Sequence, residues 1–495
     1  MWLEIAVICV LILLYFFSRD IKPRHFPPGP KWFPFVGNLF EFLQLHKKLT
    51  YVHLVWQYWS DIYGPILGVK LGLDRIVIIS DYKRAIEVMA LNEYEGRPDG
   101  FIFRLRALGK RLGVVFTDGP FGLEQRKFCL KQLKLNGFGK SSMEDRISQE
   151  VSEFTSYITS KCGKGPQDIY HTINVHVMNV LWSMISGKRF SHTDEKMAML
   201  LQQIHKSFCL QDMTGGILNQ VPIYRFFGEG KQIFNKHKHV VSLLNSFLKE
   251  TIDEHKTKLD PQSINDVIDA YLLEIQRRNS ENDFSFTEEQ LIVTLVDLFM
   301  AGSDTTTNTI SFLVQMLIQH PEVQERAQTE IDSICKGREV CLADRKQLNY
   351  VEAVIMEVQR FCNVAPLTIP HRTKKQVNLE EFIIPQDTTV LVNLYSIHMD
   401  KKFWKDPENF RPERFLDSEG RVKFIDRLIP FGTGRRRCLG ETLGRASVFK
   451  FVTTILKNFN VTASDENAKR FRPIDGAILF PSPFTVEITP RTPLF

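Results

Sequence analysis

Along most of this chain, apolar residues recur three and four positions apart, the spacing of a helix that buries one face. The pattern predicts helices around residues 140–160, 171–186, 197–210 and 231–257. Shorter β-branched runs interrupt it. Ile66-Leu67-Gly68-Val69-Lys70-Leu71 and Ile76-Val77-Ile78-Ile79 predict two strands parted by Gly72-Leu73-Asp74. Phe382-Ile383-Ile384, the turn Pro385-Gln386-Asp387 and residues 388–393 predict two more, with a last hairpin between Ile478 and Thr489. The fold class this implies is mainly α with small antiparallel β-sheets.

The longest predicted helix runs from Thr287 to His320 and stops before Pro321. Thr287 and Gln290 stand as the cap and third helical position of a capping box. At 1.5 Å per residue the helix is roughly 50 Å long, enough to cross a whole domain. Its middle, Ala301-Gly302-Ser303-Asp304-Thr305-Thr306, is polar, yet apolar turns continue on both sides, so one helix is expected. Ala301 and Gly302 remove side-chain bulk where a flat ligand can lie. Thr305 can bond a carbonyl one turn back and open a groove. The plainer reading is a polar kink in a core helix.

The N-terminus differs from the rest. Met1 to Phe17 is apolar except for Glu4, and Arg19, Lys22, Arg24 and His25 follow. Residues 1–18 are therefore expected to form a membrane anchor, with the body on the cytosolic side. A cleaved signal peptide is the rival, but it lacks a basic start and a small-residue cleavage site. Residues 19–34, with Phe26-Pro27-Pro28-Gly29-Pro30, read as a stiff basic and Pro-rich linker, and 35–495 as one catalytic domain. A net charge of +6 over 495 residues, with no basic stripe among aromatics, gives no sign of nucleic acid. The eight cysteines are scattered without a C-x-x-C, which fits neither a disulfide framework nor a zinc module.

One cysteine stands in a special setting. Phe431-Gly432-Thr433-Gly434-Arg435-Arg436-Arg437-Cys438-Leu439-Gly440 puts it in a glycine-rich loop ahead of a predicted helix starting near Glu441. Helix N-terminus and arginines push the sulfur towards thiolate. A lone thiolate suits haem iron better than zinc. The alternative is an inert buried cysteine. The pattern F-x-x-G-x-R-x-C-x-G resembles the haem-binding signature of the cytochrome P450 superfamily, and the resemblance extends over nearly the whole chain.

The resemblance implies haem b held by Cys438, with Phe431 and Gly440 beside it. Arg97, Arg126, His371 and Arg436 would meet the haem propionates, and Ala301 would lie against the ring. Asp304 and Thr305 match the family's acid–alcohol pair for proton delivery, Asp304 linking the site to bulk solvent. Glu357 and Arg360 look like the E-x-x-R element. With Arg414 of Pro412-Glu413-Arg414-Phe415 they would form a buried ion-pair cluster supporting the cysteine loop. One position departs from the family: Gly122 stands where a tryptophan is usual, which removes an indole donor and about 1 kcal/mol of helix propensity.

Family substrate regions fall on Phe101, Phe103, Val114, Val115, Phe299, Ala365, Leu367, Ile369 and Ile478, an apolar set that implies a lipophilic substrate. Gly96–Phe101 and Arg111–Gly119 look like insect microsomal enzymes of the family-2 clan, whose relatives include epoxidases of juvenile-hormone precursors. Sesquiterpenoid, steroid and xenobiotic all stay open. No flavin domain or dinucleotide fingerprint is present, so the resemblance implies NADPH–cytochrome P450 reductase as electron donor, aided by cytochrome b5, at the endoplasmic reticulum membrane. Arg126, Lys127, Lys131, Lys134, Arg435 and Arg437 would face that donor. A haem-thiolate isomerase or dehydratase, and a non-catalytic haem or lipid sensor, are the alternatives.

Overall fold

The computed structural model describes residue 2, residues 22–466 and residues 468–491. The expected anchor, residues 1–18, lies outside the described residues apart from residue 2. Among the described residues no helix is long and apolar enough to cross a membrane. All seven described cysteines are free.

The long helices are, in chain order, α1 (Gly119–Leu135), α2 (Ser141–Lys161), α3 (Tyr170–Ser186), α4 (Glu195–Cys209), α5 (Gly228–Lys258), α6 (Val267–Ser280), α7 (Glu288–Gln319), α8 (Pro321–Cys335), α9 (Asn349–Cys362) and α10 (Glu441–Asn458). Helix α7 is continuous through its polar middle. It packs against α3, α5, α9 and α10, and its apolar side chains, among them Leu313 and Val314, join one core cluster with those of α3. Each such fully buried Leu or Val is worth about 1.5–3 kcal/mol.

Only half of the expected capping box forms. Thr287 accepts from the Gln290 amide at 3.2 Å. The Gln290 side chain turns away instead, accepting from Gly113 N at 2.9 Å and donating to Gly113 O at 3.2 Å. It thereby staples the loop ahead of α1 to the central helix.

The largest sheet has the order β1 (Ile66–Leu71), β2 (Asp74–Ile79), β6 (Thr389–Val392), β3 (His371–Arg372). β1 and β2 form the expected antiparallel pair, with Leu71 opposite Asp74. β5 (Phe382–Ile384) and β6 do not pair with each other, although both strands were expected. β5 joins β4 (Val377–Leu379), while β6 runs parallel to β2. Val390, Leu391 and Val392 are all buried, which suits a central strand covered on both faces. The hairpin expected between Ile478 and Thr489 is also absent. β8 (Val486–Pro490) pairs instead with β7 (Phe459–Ala463). Pro481 and Pro483 lack the N–H groups that such a hairpin needs.

The Pro-rich segment is not a free-standing linker. Gly68 N donates to Pro28 O at 2.7 Å, and Phe26 is buried beside Ile66 and Val77. A Cβ on Gly68 would lie 2.6 Å from the Phe26 ring, so only glycine admits this contact.

A buried ion-pair cluster ties the C-terminal half together. Arg360 and Glu357 on α9 are 0 % exposed and paired at 2.7 and 2.8 Å. Glu357 also accepts from Arg414 Nε at 3.1 Å and Arg411 N at 2.8 Å. Arg360 donates to His398 O at 3.0 Å, and the His398 ring accepts from Ile429 N at 3.1 Å, at the foot of the cysteine loop. Arg360→Ala would leave the sealed-in Glu357 carboxylate without its bidentate partner and only Arg414 to offset its charge, so a loss of about 3–5 kcal/mol is expected in denaturant unfolding. Arg277→Ala, which breaks an exposed pair, is expected to leave the unfolding midpoint close to the parent's. Equal losses from the two variants contradict this assignment.

Candidate active site

The cysteine loop is shaped by two glycines in the left-handed region, Gly432 (φ 66°) and Gly434 (φ 69°). A Cβ on Gly434 would lie 2.0 Å from Met89 O, so the loop is pressed onto the segment ahead of it. Cys438 N donates to Phe431 O at 2.9 Å, and Gly440 caps α10. Cys438 opens onto an interior cavity that Phe431 and Gly440 also line. Burial raises its thiol above the ordinary value, against the backbone N–H of Gly440 and the charge of Arg126. The helix start and Arg126 do act towards thiolate, as expected, but burial outweighs them. A bound metal would remove the proton outright.

Helix α7 forms another wall of the cavity. Its period of 3.6 sets Asp297, Leu298, Ala301, Gly302, Thr305, Thr306 and Thr309 on the cavity side. Ala301 is exposed in mid-molecule for that reason. Thr305 Oγ1 donates to Ala301 O at 2.9 Å and leaves the helix unbroken. Gly302 serves a second purpose: a Cβ there would meet Leu181 of α3 at 2.3 Å.

Asp304 does not line the cavity. It is 0 % exposed and points towards α3, accepting from Asn174 Nδ2 at 3.1 Å and Tyr170 OH at 3.4 Å. Burial pushes its carboxyl up to about 7. The direct link to bulk solvent expected of it is not present in this arrangement, because the polar run splits between two helix faces.

Three guanidinium groups gather at the cavity edge. Arg97 is 3 % exposed and donates to Ile369 O at 3.1 Å and Pro370 O at 2.8 Å, while its Nε has no partner. Arg126 donates to Arg437 O, and Arg436 to Glu95 O at 3.2 Å and Thr117 O at 2.9 Å. Burial holds all three below the ordinary range. Arg436 adds to the effect at Arg97 and Arg126. A dianionic group in the cavity relieves this repulsion. His371 Nδ1–H donates to Tyr94 O at 2.8 Å, and burial holds the ring's pKa down to about 3. Being neutral, with Nδ1–H given to that carbonyl, it can bond a carboxylate only after gaining a proton.

Gly122 has a structural reason. A Cβ there would stand 2.8 Å from the carbonyl carbon of Thr117, the residue whose oxygen receives Arg436. Close approach of that carbonyl takes the space a tryptophan would need.

Of the expected substrate residues, Val114, Val115, Ala365, Leu367, Ile369 and Ile478 line the cavity. Three do not. Phe299 is on the far side of α7, edge-on to Trp182 at 5.4 Å. Phe103 stacks on Phe116 at 4.4 Å, and Phe101 packs near Phe234 at 5.8 Å under Arg225. All three are packing residues here.

Asp297 was missed. It lines the cavity with its side chain fully buried, pairs with Arg106, and accepts from Val114 N at 2.7 Å and Val115 N at 2.9 Å. A lone carboxylate between Val296 and Leu298 was the available signal. His398, which bridges the ion-pair cluster to the cysteine loop, carried no comparable mark.

The family model "Cytochrome P450" matches residues 27–488. The chain is 36% identical over 491 residues to "Farnesoate epoxidase" of Bombyx mori, covering 99% of each protein. It is 34% identical to "Probable cytochrome P450 305a1" of Drosophila melanogaster, covering 98% of each. With "Cytochrome P450 2C8" of Homo sapiens it shares 31% identity, over 93% of this chain and 94% of the relative.

Gly434→Ala tests the loop geometry. Left-handed backbone costs an alanine roughly 1–2 kcal/mol, and the Met89 carbonyl must also move. The variant is expected to unfold at lower temperature and to purify with most of its haem missing. Parent-like haem content and melting temperature contradict the assignment.

Proposed function

The chain belongs to the cytochrome P450 family and is an oxidoreductase; from that premise we propose a monooxygenase that places one atom of O2 in a lipophilic substrate, by hydroxylation or epoxidation. One observation carries this reading: the sulfur of Cys438, the small side chains Ala301 and Thr305 of α7, and the guanidinium groups all line a single cavity.

Haem b fits these residues. Cys438 would ligate its iron between Phe431 and Gly440, and Ala301 would face the ring. Arg97, Arg126 and Arg436 would take the propionates, with His371 joining once protonated. Haem, when bound, supplies the redox chemistry that splits O2. The protein orients substrate and moves protons. Thr305 can exchange its bond to Ala301 O for a water in the cavity, and the acid Asp304 follows on the adjoining face of α7. Glu357, Arg360 and Arg414 act at a distance, by fixing the cysteine loop through His398.

The apolar wall of Val114, Val115, Leu298, Leu367, Ile369 and Ile478 selects a lipophilic substrate. Among sesquiterpenoids, steroids and xenobiotics, a sesquiterpenoid is the first choice, since one relative is named a farnesoate epoxidase.

Electrons are proposed to come from NADPH–cytochrome P450 reductase, with cytochrome b5 as an auxiliary. Lys127, Lys131 and Lys134 share one exposed face of α1, and Arg435 and Arg437 are exposed on the nearby cysteine loop. Such a basic face attracts an acidic donor. For location we propose the endoplasmic reticulum membrane, with residues 1–18 as anchor and the catalytic domain in the cytosol. Exposed Phe33, Phe35, Leu73, Ile223, Phe226 and Phe227 support this. Gly72 N to Val36 O and Leu73 N to Gln220 O bring their three segments together into one apolar patch.

The test is reconstitution of the haem-loaded protein with reductase and NADPH. NADPH and O2 use are expected to rise with a sesquiterpenoid and to match the oxygenated product. In Thr305→Ala, coupling to product is expected to fall on the order of tenfold, equivalent to about 1.4 kcal/mol, with the balance released as peroxide. Full coupling in that variant removes Thr305 from proton delivery. Isomerised or dehydrated product from an organic peroxide, with no NADPH-dependent oxygenation of any lipophilic substrate, overturns the monooxygenase reading.

A further inference from the structure

A groove of about 510 Å³ runs along α5 and shares no lining residue with the cavity that holds Cys438. One side of it is Lys238, Ser242, Asn245, Ser246 and Lys249, spaced as a single stripe of that helix. The other side is built by Leu105, Leu108 and Ile292, the last of these from α7. Every polar side chain in this lining can donate a hydrogen bond, and none is acidic. One side is therefore cationic and polar, and the other is apolar.

Three features of the groove are not explained by packing. Lys238 and Lys249 are exposed, and among the described residues neither makes a salt bridge. The acids beside them in the chain are engaged elsewhere, Glu250 with Lys196 and Glu289 with Lys110. Asn245 turns its Oδ1 inwards, where it is buried without a partner, so Nδ2 is the group it leaves to the groove. A buried amide oxygen without a donor is a cost that the fold alone has no reason to carry. Leu108 has a φ of 56° and is 39 % exposed. Left-handed backbone disfavours a leucine. Even so the turn is fixed there, Gly109 N donating to Arg104 O at 2.8 Å and Lys110 N to Ala107 O at 2.9 Å. Strain is thus spent on holding an apolar side chain at the groove instead of in the core.

We propose that this groove is a second ligand site, for a long-chain carboxylate such as a fatty or terpenoid acid. The head group meets a lysine and the hydroxyl and amide donors between the two lysines, while the chain covers Leu108 and Ile292. At 1.5 Å per residue the lysines stand about 16 Å apart along α5, so an elongated molecule can lie between them either way round. A neutral lipid leaves both cations unused, and a small inorganic anion leaves the apolar side bare. The volume falls in the range of small-molecule sites. Leu105 directly precedes Arg106, whose guanidinium pairs with Asp297 in the wall of the Cys438 cavity. The occupant therefore touches the segment that fixes one wall of that cavity. Nothing in this assignment depends on a redox step.

Photolabelling of the full-length protein with dodecanoate that carries a diazirine tests the site, the label being mapped by mass spectrometry. Label is expected on Leu108 and along the 241–249 face of α5. The matching dodecanol probe, which has no charge, is expected to label that groove several-fold less. Changing both lysines, Lys238→Gln with Lys249→Gln, is expected to weaken labelling by the acid several-fold, and high salt to act in the same direction. Leu108→Glu, which sets a like charge against the head group, is expected to abolish it. Label confined to residues of the Cys438 cavity overturns the proposal, as does equal labelling by acid and alcohol, or by the parent and both variants. Label that arises only when anionic vesicles are added makes this face a bilayer contact and overturns it too. Should either variant not fold, the comparison of acid with alcohol on the parent decides. The labelling needs no turnover, so its outcome is separate from that of the reconstitution assay.

Discussion

Arg360 and Glu357 are held against each other with no access to water, and much of the active site takes its position from that pair. Neither charge is tolerable without the other, so the loop carbonyls of His398 and Pro407 must stay where Arg360 can bond them. Through the His398 ring the constraint passes to Ile429 N, and Gly432 N bonds Ile429 O in turn. Cys438 is therefore presented by a loop anchored from below rather than by a flexible turn. The pair adds little net stability over an apolar substitute of equal volume. Its contribution is to make other loop positions costly.

Opposite that fixed loop, α7 does two jobs on two faces. The cavity face carries Ala301, Thr305 and Thr309, small or hydroxylated, and the inner face carries Ser303, Asp304, Thr307 and Asn308, all buried. Asn308 Nδ2 donates to Leu479 O at 2.9 Å, which holds the Ile478 wall in place. Charge is arranged with the same economy. Arg97, Arg126 and Arg436 are crowded at one edge, whereas the substrate wall holds one carboxylate, Asp297, already saturated by Arg106 and two amides. A nonpolar ligand and a doubly anionic cofactor would each find matching residues in the lining of one cavity.

Much of this was legible in the residues. Strong 3.6-residue periodicity located the helices, and the glycine spacing around Cys438 located the loop. The reasons for the rest being hidden are physical. β6 was recognised as a strand, but its partner β2 lies some three hundred residues earlier, and no local pattern encodes a parallel pairing across that distance. Phe299 was placed in the cavity by family resemblance, yet one step along a helix turns a side chain by about 100°, and Phe299 falls on the face away from the cavity. Asp304 and Thr305 are adjacent and read as a unit, but the same rotation puts them on different faces. Gly122 looked like a defect until Thr117 was seen to occupy its missing volume. His398 sends its ring into a contact that only the folded chain creates.

The central claim is that one sulfur in this cavity grips haem iron, and the carbon monoxide spectrum of the reduced, haem-loaded protein addresses it most directly. The account predicts a thiolate-type absorption band in the parent and its complete replacement in Cys438→Ser at preserved helical content. An unchanged band in that variant, or an imidazole-type band in the parent, contradicts the account.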